Sequence, residues 1–262
     1  MAIRRVALIG LVLAGVIGIS GCGPTEDQSA PAAPPSPSSS PSAEPDDPAA
    51  ELAEAAARLA DDTVRVRVAV TGQMTLTGVL DPRGQAAVAK VDMGAVDDGT
   101  QAEVRQVGKD VWIKLKGPVP AMLGGNGQWM HLSAAELSAT SNFNVLPGDD
   151  PAGARAMIAA MTGIKRSGPH GFTGTMDLTR TSRYSAETLK ALGAKAAFVP
   201  FTATTDAQGR LTALSTDLSA IVSGAGQLTT AFSDFGVPVD VERPPAAETT
   251  ELPSELKSVI DA

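Results

Sequence analysis

The chain has 262 residues, of which 43% are hydrophobic, 19% charged and only 3% aromatic, and its formal net charge is −8. This composition is that of a folded globular domain rather than of a collagen or a wholly disordered chain. A single cysteine excludes an intramolecular disulfide, and two histidines without cysteine partners leave no zinc-ligand set. We therefore expect neither a metal nor a cofactor.

The first 21 residues are typical of a secretory signal peptide, with a basic start at 1–5 and an apolar run at 6–19. That run is shorter than the roughly 20 residues that a membrane-spanning helix needs. It ends in Ile-Ser-Gly-Cys, which resembles the bacterial lipobox, whose cysteine is acylated and becomes the mature N-terminus. We therefore expect Cys22 to carry a lipid anchor on the outer, extracytoplasmic face of the cell membrane. A secreted protein with an incidental thiol is the alternative.

Residues 22–48 are dominated by Pro, Ser, Ala and acidic side chains, which predicts a disordered tether behind the anchor. Acidic residues gather at both ends of the mature chain: 22–62 carry nine acids and one arginine, and 240–262 carry six acids and two bases. The central part, 63–239, is nearly neutral, with 16 Lys and Arg against 14 Asp and Glu. No basic stripe with interleaved aromatics occurs, so nucleic acid is not an expected partner.

The folded domain is predicted over 49–246, followed by an acidic C-terminal tail over 247–262. Leu52, Ala56 and Leu59 recur at helical spacing and predict a leading helix over 49–62. The following VRVRVAV alternates strictly and predicts a strand over 64–70. Short strands separated by Gly-, Asp- and Pro-containing turns then suggest an antiparallel meander, with strands over 74–80, 86–93, 102–107, 111–116 and 128–132.

Helical segments interrupt the second half of the chain. A helix is predicted over 151–163, with Met157, Ile158 and Met161 on one face, and another over 185–193, with Ser185 as its cap. The remaining strands are predicted over 172–179, 197–205, 211–218, 227–232 and 237–241. About ten strands with a few helices between them predict an α+β fold built on one large antiparallel sheet, which at that width curls or closes.

Residues 232–245 read FSDFGVPVDVERPP, a turn followed by a Pro-Val-x-Val segment and a double proline. This ending resembles the last strand of the actinobacterial LppX/LprA/LprF/LprG lipoproteins. The lipobox, the tether, the leading helix and the VWIKL strand at 111–115 follow that family's order. The resemblance implies a LolA-like fold, in which a strongly curved antiparallel half-barrel has helices covering its concave face. It also implies a membrane-anchored lipoprotein that binds lipid or glycolipid in an apolar cavity and carries it across the cell envelope, with an envelope transporter as a further partner.

Aliphatic, thioether and aromatic side chains of the predicted strands and of the 151–163 helix are the candidates for lining such a cavity. They are Val66, Val68, Leu76, Ile113, Leu115, Met157, Ile158, Met161, Phe172, Met176 and Leu178. Taken one by one, each of them suits an ordinary hydrophobic core better, and only the resemblance favours a cavity. The alternative function is therefore an envelope interaction or sensor module with a filled core that acts on a partner protein through its outer surface.

The sequence nominates no catalytic group, and we expect no enzyme. It contains no G-x-S-x-G, no phosphate-binding G-x-x-x-x-G-K-[ST] and no H-E-x-x-H. The carboxylate pairs at 97–98 and 149–150 both lie in predicted turns. Arg65, Arg67, Lys114 and Lys116 alternate with apolar residues, as on a solvated strand face, and contact with anionic headgroups is the other interpretation.

Overall fold

The computed structural model describes residues 47–94, 99–117, 127–138, 141, 143–181, 186–253, 256 and 260. Residues Pro45–Ala262 form one compact unit, as judged by the contacts between their Cα atoms. The predicted signal peptide, Cys22, the tether up to residue 46 and the proposed helix cap Ser185 lie outside the described residues, and these assignments stay predictions.

Twelve strands form one sheet in the order β12-β6-β5-β4-β3-β2-β1-β11-β10-β9-β8-β7. Their bounds are β1 Val64–Val70, β2 Met74–Asp81, β3 Ala86–Asp92, β4 Gln101–Val107, β5 Asp110–Lys116, β6 Trp129–Ser133, β7 Met161–Arg166, β8 Gly171–Met176, β9 Val199–Thr205, β10 Leu211–Asp217, β11 Gln227–Ser233 and β12 Thr249–Glu251. The first and last strands in this order do not pair, so the sheet is not closed into a barrel.

Two antiparallel meanders build the sheet, one from β1 to β6 and one from β7 to β11. They join where β1 pairs antiparallel with β11, so that Val66 lies opposite Phe232. The short strand β12 pairs with β6 in parallel, with Thr249 opposite Trp129. The predicted α+β fold with one large, almost wholly antiparallel sheet is thereby confirmed.

Three α-helices occur among the described residues: α1 Pro48–Ala57, α2 Ala154–Ala159 and α3 Ala186–Leu192. Asp47 caps α1, because its side chain accepts a hydrogen bond of 2.9 Å from the Ala49 N–H. A 3₁₀ turn, Arg58–Ala60, extends α1 and confirms the predicted leading helix. In the part of the chain that the structure describes, every helix is too short or too polar to traverse a bilayer.

The predicted helix over 151–163 is wrong in its second half. α2 ends at Ala159, and Met161 begins β7, where it lies opposite Met176 of β8. Thr162 and Ile164 are β-branched and favour a strand, and the Asp177 N–H donates to the Ala160 carbonyl oxygen at 2.9 Å, which fixes the start of the β7–β8 hairpin. Met161 therefore reaches the core from a strand and not from the helix.

Two strand predictions also require correction. The strand predicted over 172–179 ends at Met176, because Asp177 accepts from the Thr179 N–H at 3.0 Å and caps the 3₁₀ turn Leu178–Arg180. Leu178 is thus a turn residue. The segment 237–241 forms no strand. Both edges of the preceding strand β11 are already paired, with β1 and with β10, and Pro238 has no N–H to donate to a further strand.

The segment 237–248, here called the C-terminal strap, instead crosses the sheet. The Gly236 N–H donates to Thr63 at 2.9 Å where the strap begins, and Arg105 of β4 donates to the Glu242 carbonyl oxygen at 3.0 Å. β12 follows the strap at the edge of β6, and Leu256 and Ile260 beyond it are buried in the hydrophobic core. The region predicted as an acidic tail thus contributes a strand and two core side chains.

Candidate functional site

Side chains alternate between two faces of the sheet, and one face is apolar. On β1, Val64 and Val66 are 0% and 1% exposed, whereas Arg65 and Arg67 between them are exposed. The face that carries Val64 and Val66 is called the apolar face below, and the opposite one the polar face. The apolar face, α1 and α2 contribute to one continuous hydrophobic cluster.

Every residue that the sequence nominated for a cavity belongs to this cluster or packs against it. Val66, Leu76, Ile113, Leu115, Met157, Ile158, Met161, Phe172, Met176 and Leu178 are buried, and Val68 is partly buried against them. The structure therefore brings together residues from seven separate elements, and each suits either a filled core or the wall of a binding site.

Helix α1 supplies core residues that the sequence prediction did not assign to the site. Leu52, Ala55 and Ala56 of α1 and Leu59 of the following turn are at most 1% exposed. α1 contacts α2, β7 and β10, and an ion pair between Glu51 and Arg166 joins it to β7. The helical spacing of these apolar residues was visible in the sequence, but the element that they cover was not.

Burial along the apolar face decreases toward one end of four neighbouring strands, β11, β1, β2 and β3. In β1, Val64 and Val66 are buried while Val68 and Val70 are only partly so. Strands β2, β3 and β11 show the same trend toward Met74, Met93 and Leu228. These residues lie at one end, since Val70 is paired with Met74 on one side and Leu228 on the other. This end of the apolar face is called the open end.

Further partly exposed apolar side chains are found in α3 and beside β9 and β10. Leu189 and Leu192 of α3 and Ile221 after β10 are partly buried against the hydrophobic cluster. Phe198, which immediately precedes β9, is 69% exposed, and Val222 is 48% exposed. Since the start of β9 lies beside the end of β10, Phe198 and Val222 are at the same end of the sheet. Two large apolar side chains are therefore exposed at the end of the sheet where the open end lies.

The polar face also contains two buried aromatic residues, Trp112 and Trp129, at 7% and 4% exposure. The Arg105 guanidinium lies 4.6 Å from the centroid of Trp129, and that of Arg243 in the strap lies 5.8 Å from the centroid of Trp112. Cations over aromatic faces are favourable contacts, so these arginines and the strap cover the two rings. His131 bonds Asp110 at 3.0 Å beside them.

Among the residues that the structure describes, the acids with clearly shifted pKa values, Asp149 and Asp206, lie in turns. A hydrogen bond from Arg155 and its positive charge lower the pKa of Asp149. Asp150 accepts from the Arg155 and Ala156 N–H groups at 2.9 and 3.1 Å and thereby caps α2. The pair at 149–150 is thus used in turn and cap formation, while 97–98 lies outside the described residues. Within the described ranges, no group of three or more His, Cys, Asp or Glu is arranged to hold a metal ion.

Comparison with known proteins identifies no family. No protein-family model matches the chain, and no curated protein matches it.

Proposed function

We propose that the protein is a lipoprotein, anchored through Cys22 to the outer face of the cell membrane, which binds lipid or glycolipid acyl chains along its apolar face and carries them across the cell envelope. The falling burial toward the open end is the observation that carries this proposal. An apolar surface that is fully covered at one end and partly exposed at the other offers an entry for an alkyl chain without exposing the whole core.

The energy available from such binding is large. Burying alkyl carbon is worth about 0.8 kcal/mol per methylene, so a chain of about 16 carbons contributes on the order of 12 kcal/mol before entropy costs. No catalytic group is required for this process. The resemblance of the lipobox and of residues 232–245 to the LppX/LprG lipoproteins and their LolA-like fold supports the same function.

Native mass spectrometry of a protein that begins at Pro45 tests the proposal, because Cys22 and its covalent lipid are then absent. The protein is purified from an actinobacterial host, and bound lipid is identified after organic extraction. We expect a stoichiometric lipid in the original sequence. Val70→Trp, which fills the open end, should reduce it strongly, while Ala69→Trp, on the adjacent residue and the polar face, should retain it.

A protein without bound lipid that also takes up none from added diacyl lipids would contradict the carrier function. The alternative is then a filled core with a partner protein on the outer surface. Equal lipid in Val70→Trp and Ala69→Trp would show that lipid binds elsewhere than at the open end. Matching melting temperatures of the two variants would exclude unfolding as the cause of any loss.

A further inference from the structure

The polar face carries a concavity that is separated from the apolar face by the thickness of the sheet. It has a volume of about 400 Å³ and lies over β2, β3, β4 and β5. That volume lies within the usual range of small-molecule sites. Its polar lining consists of Thr75, Thr77, Lys90, Asp92, Gln101, Glu103, Lys114 and Lys116. The pocket and the proposed acyl-chain site lie on opposite faces of the sheet, and the polar lining of the pocket suits a polar ligand.

Strand register places the charged residues of the pocket in two adjacent rows. Lys90 lies opposite Glu103, which in turn lies opposite Lys114. In the next row Asp92 lies opposite Gln101, and Gln101 opposite Lys116. Neighbouring strands are about 4.8 Å apart, so long lysine side chains from β3 and β5 can converge over β4.

The acidic side chains in this pocket are already engaged. Glu103 does not pair with either lysine opposite it; it accepts two hydrogen bonds from Arg105, at 3.1 and 3.0 Å. Asp92 accepts from the Gly94 N–H at 2.9 Å. Among the residues that the structure describes, Lys90, Lys114 and Lys116 form no ion pair. The Lys114 ammonium lies over the Trp129 ring, 5.4 Å from its centroid.

A simple ladder of cross-strand charge pairs would explain lysines beside a glutamate on a solvated face. The Arg105–Glu103 bond removes that explanation, because it leaves three ammonium groups around one pocket without a carboxylate partner. Three lysines and two acids line the pocket, and Arg105 beside it offsets the charge of Glu103, which leaves an excess of two positive charges. Thr75, Thr77 and Gln101 add neutral groups that can donate to and accept from hydroxyls.

We propose that this pocket binds a phosphate monoester carried on a polyol, with Lys90, Lys114 and Lys116 contacting the phosphate and the neutral side chains contacting the hydroxyls. Phosphate is a dianion near neutral pH and matches the excess charge. A free polyol phosphate and a lipid headgroup offer the same chemistry. Binding of this phosphate to the polar-face pocket does not involve the apolar face and therefore does not require the proposed acyl-chain binding.

Isothermal titration of the full chain in a nonionic detergent with glycerol 3-phosphate tests the free source. For the lipid source, binding to phosphatidylcholine vesicles with and without phosphatidic acid is compared, so that the anchor's own affinity cancels. The double variant Lys114→Gln/Lys116→Gln should lose about tenfold or more in affinity, since charge-assisted bonds to phosphate are strong. Lys109→Gln, an exposed lysine in the β4–β5 turn outside the pocket, should bind as the original chain does.

If the original chain binds glycerol 3-phosphate and the double variant does not, the result would support the pocket as a site for a free polyol phosphate. Stronger binding to vesicles with phosphatidic acid than to those without it, seen without glycerol 3-phosphate binding and lost in the double variant, would support the pocket as a site for a lipid headgroup. Absence of binding in both assays, or equal binding by the original chain and the double variant, would overturn the proposal. Val70→Trp should leave either result unchanged, which separates this site from the acyl-chain proposal.

Discussion

Val64 and Val70 stand at the two ends of one strand and point to the same face of the sheet, yet Val64 is completely buried and Val70 only partly. Val64 shares the hydrophobic cluster with Leu52 and Leu59 of the α1 region. This difference along the seven residues of β1 defines the open end. In the proposed function, the same apolar face stabilises the fold at the Val64 end and admits an alkyl chain at the Val70 end.

The C-terminal residues are expected to stabilise the fold. Leu256 is 0% exposed and belongs to the hydrophobic cluster, so Leu256→Ala should lower the free energy of unfolding by about 2–5 kcal/mol. Urea denaturation measures the change. Glu251→Ala, on an exposed residue of β12, is the control and should cost less than about 0.5 kcal/mol. Equal effects of the two variants would show that Leu256 is not a core residue.

Arg105 holds the strap on the polar face through its bond to the Glu242 carbonyl oxygen, and its guanidinium also lies over the Trp129 ring of β6. Arg105→Ala should therefore release the strap and raise amide hydrogen exchange over 237–245 by roughly tenfold, while β1 keeps its protection. Hydrogen exchange with mass spectrometry gives both values. Arg67→Ala removes an exposed arginine from the same face and should change neither. Unaltered exchange in Arg105→Ala would mean that other contacts hold the strap.

Asp206 should make stability depend on pH. Burial would raise its pKa, but the Arg210 N–H at 2.9 Å, the Arg210 guanidinium at 2.7 Å and the Gln208 N–H at 3.0 Å outweigh it and lower the pKa. A lowered pKa in the folded state stabilises above the unfolded pKa, and this contribution disappears as pH falls through the folded value.

Asp206→Asn should accordingly lower the free energy of unfolding by roughly 1–3 kcal/mol at pH 7, where the lost bonds are charge-assisted. The difference in the free energy of unfolding from the original chain should narrow as the pH falls from the unfolded pKa of the aspartate through its lower folded pKa. Urea unfolding across that pH range tests this, with the exposed Asp240→Asn as the control. A difference that stays constant with pH would contradict the role of the Asp206 charge.

Gly174 of β8 allows close contact between β8 and its surroundings. A Cβ at this position would lie 2.7 Å from Cε1 of Phe201 and 2.8 Å from the Thr162 carbonyl oxygen. Gly174→Ala should therefore lower the melting temperature, at a cost of about 1–3 kcal/mol. Adding Phe201→Leu should recover part of that loss in the double variant. A Gly174→Ala protein as stable as the adjacent Thr173→Ala protein would refute this packing.

The local sequence pattern was sufficient to predict most strands of the sheet. β1 to β5 lie within one residue of their predicted bounds because strict alternation and turn residues delimit them. β7 was missed because Met161 continues the helical spacing of Met157 and Ile158, and only its pairing with β8 makes it a strand. β12 is three residues long and pairs in parallel with a distant strand, which no local pattern indicates.

The site was predictable as a set of residues but not as an arrangement. Alternation identified which side chains of β1 share a face, but the open end depends on which strands end together and on where α1 packs. On the polar face, the sequence singled out Lys114 and Lys116 but not Lys90. Lys90 joins them only through the pairing of β3, β4 and β5.

The proposed binding of an acyl chain at the open end is tested most directly by photo-crosslinking with a palmitate analogue that carries a diazirine in the middle of its chain. The protein that begins at Pro45 is labelled, digested and mapped by mass spectrometry. We expect labels on apolar-face side chains of β1 and β2 near the open end, such as Val68, Val70 and Met74, and their loss in Val70→Trp but not in Ala69→Trp. Labels confined to the polar face, or labelling no stronger than in heat-denatured protein, would contradict it.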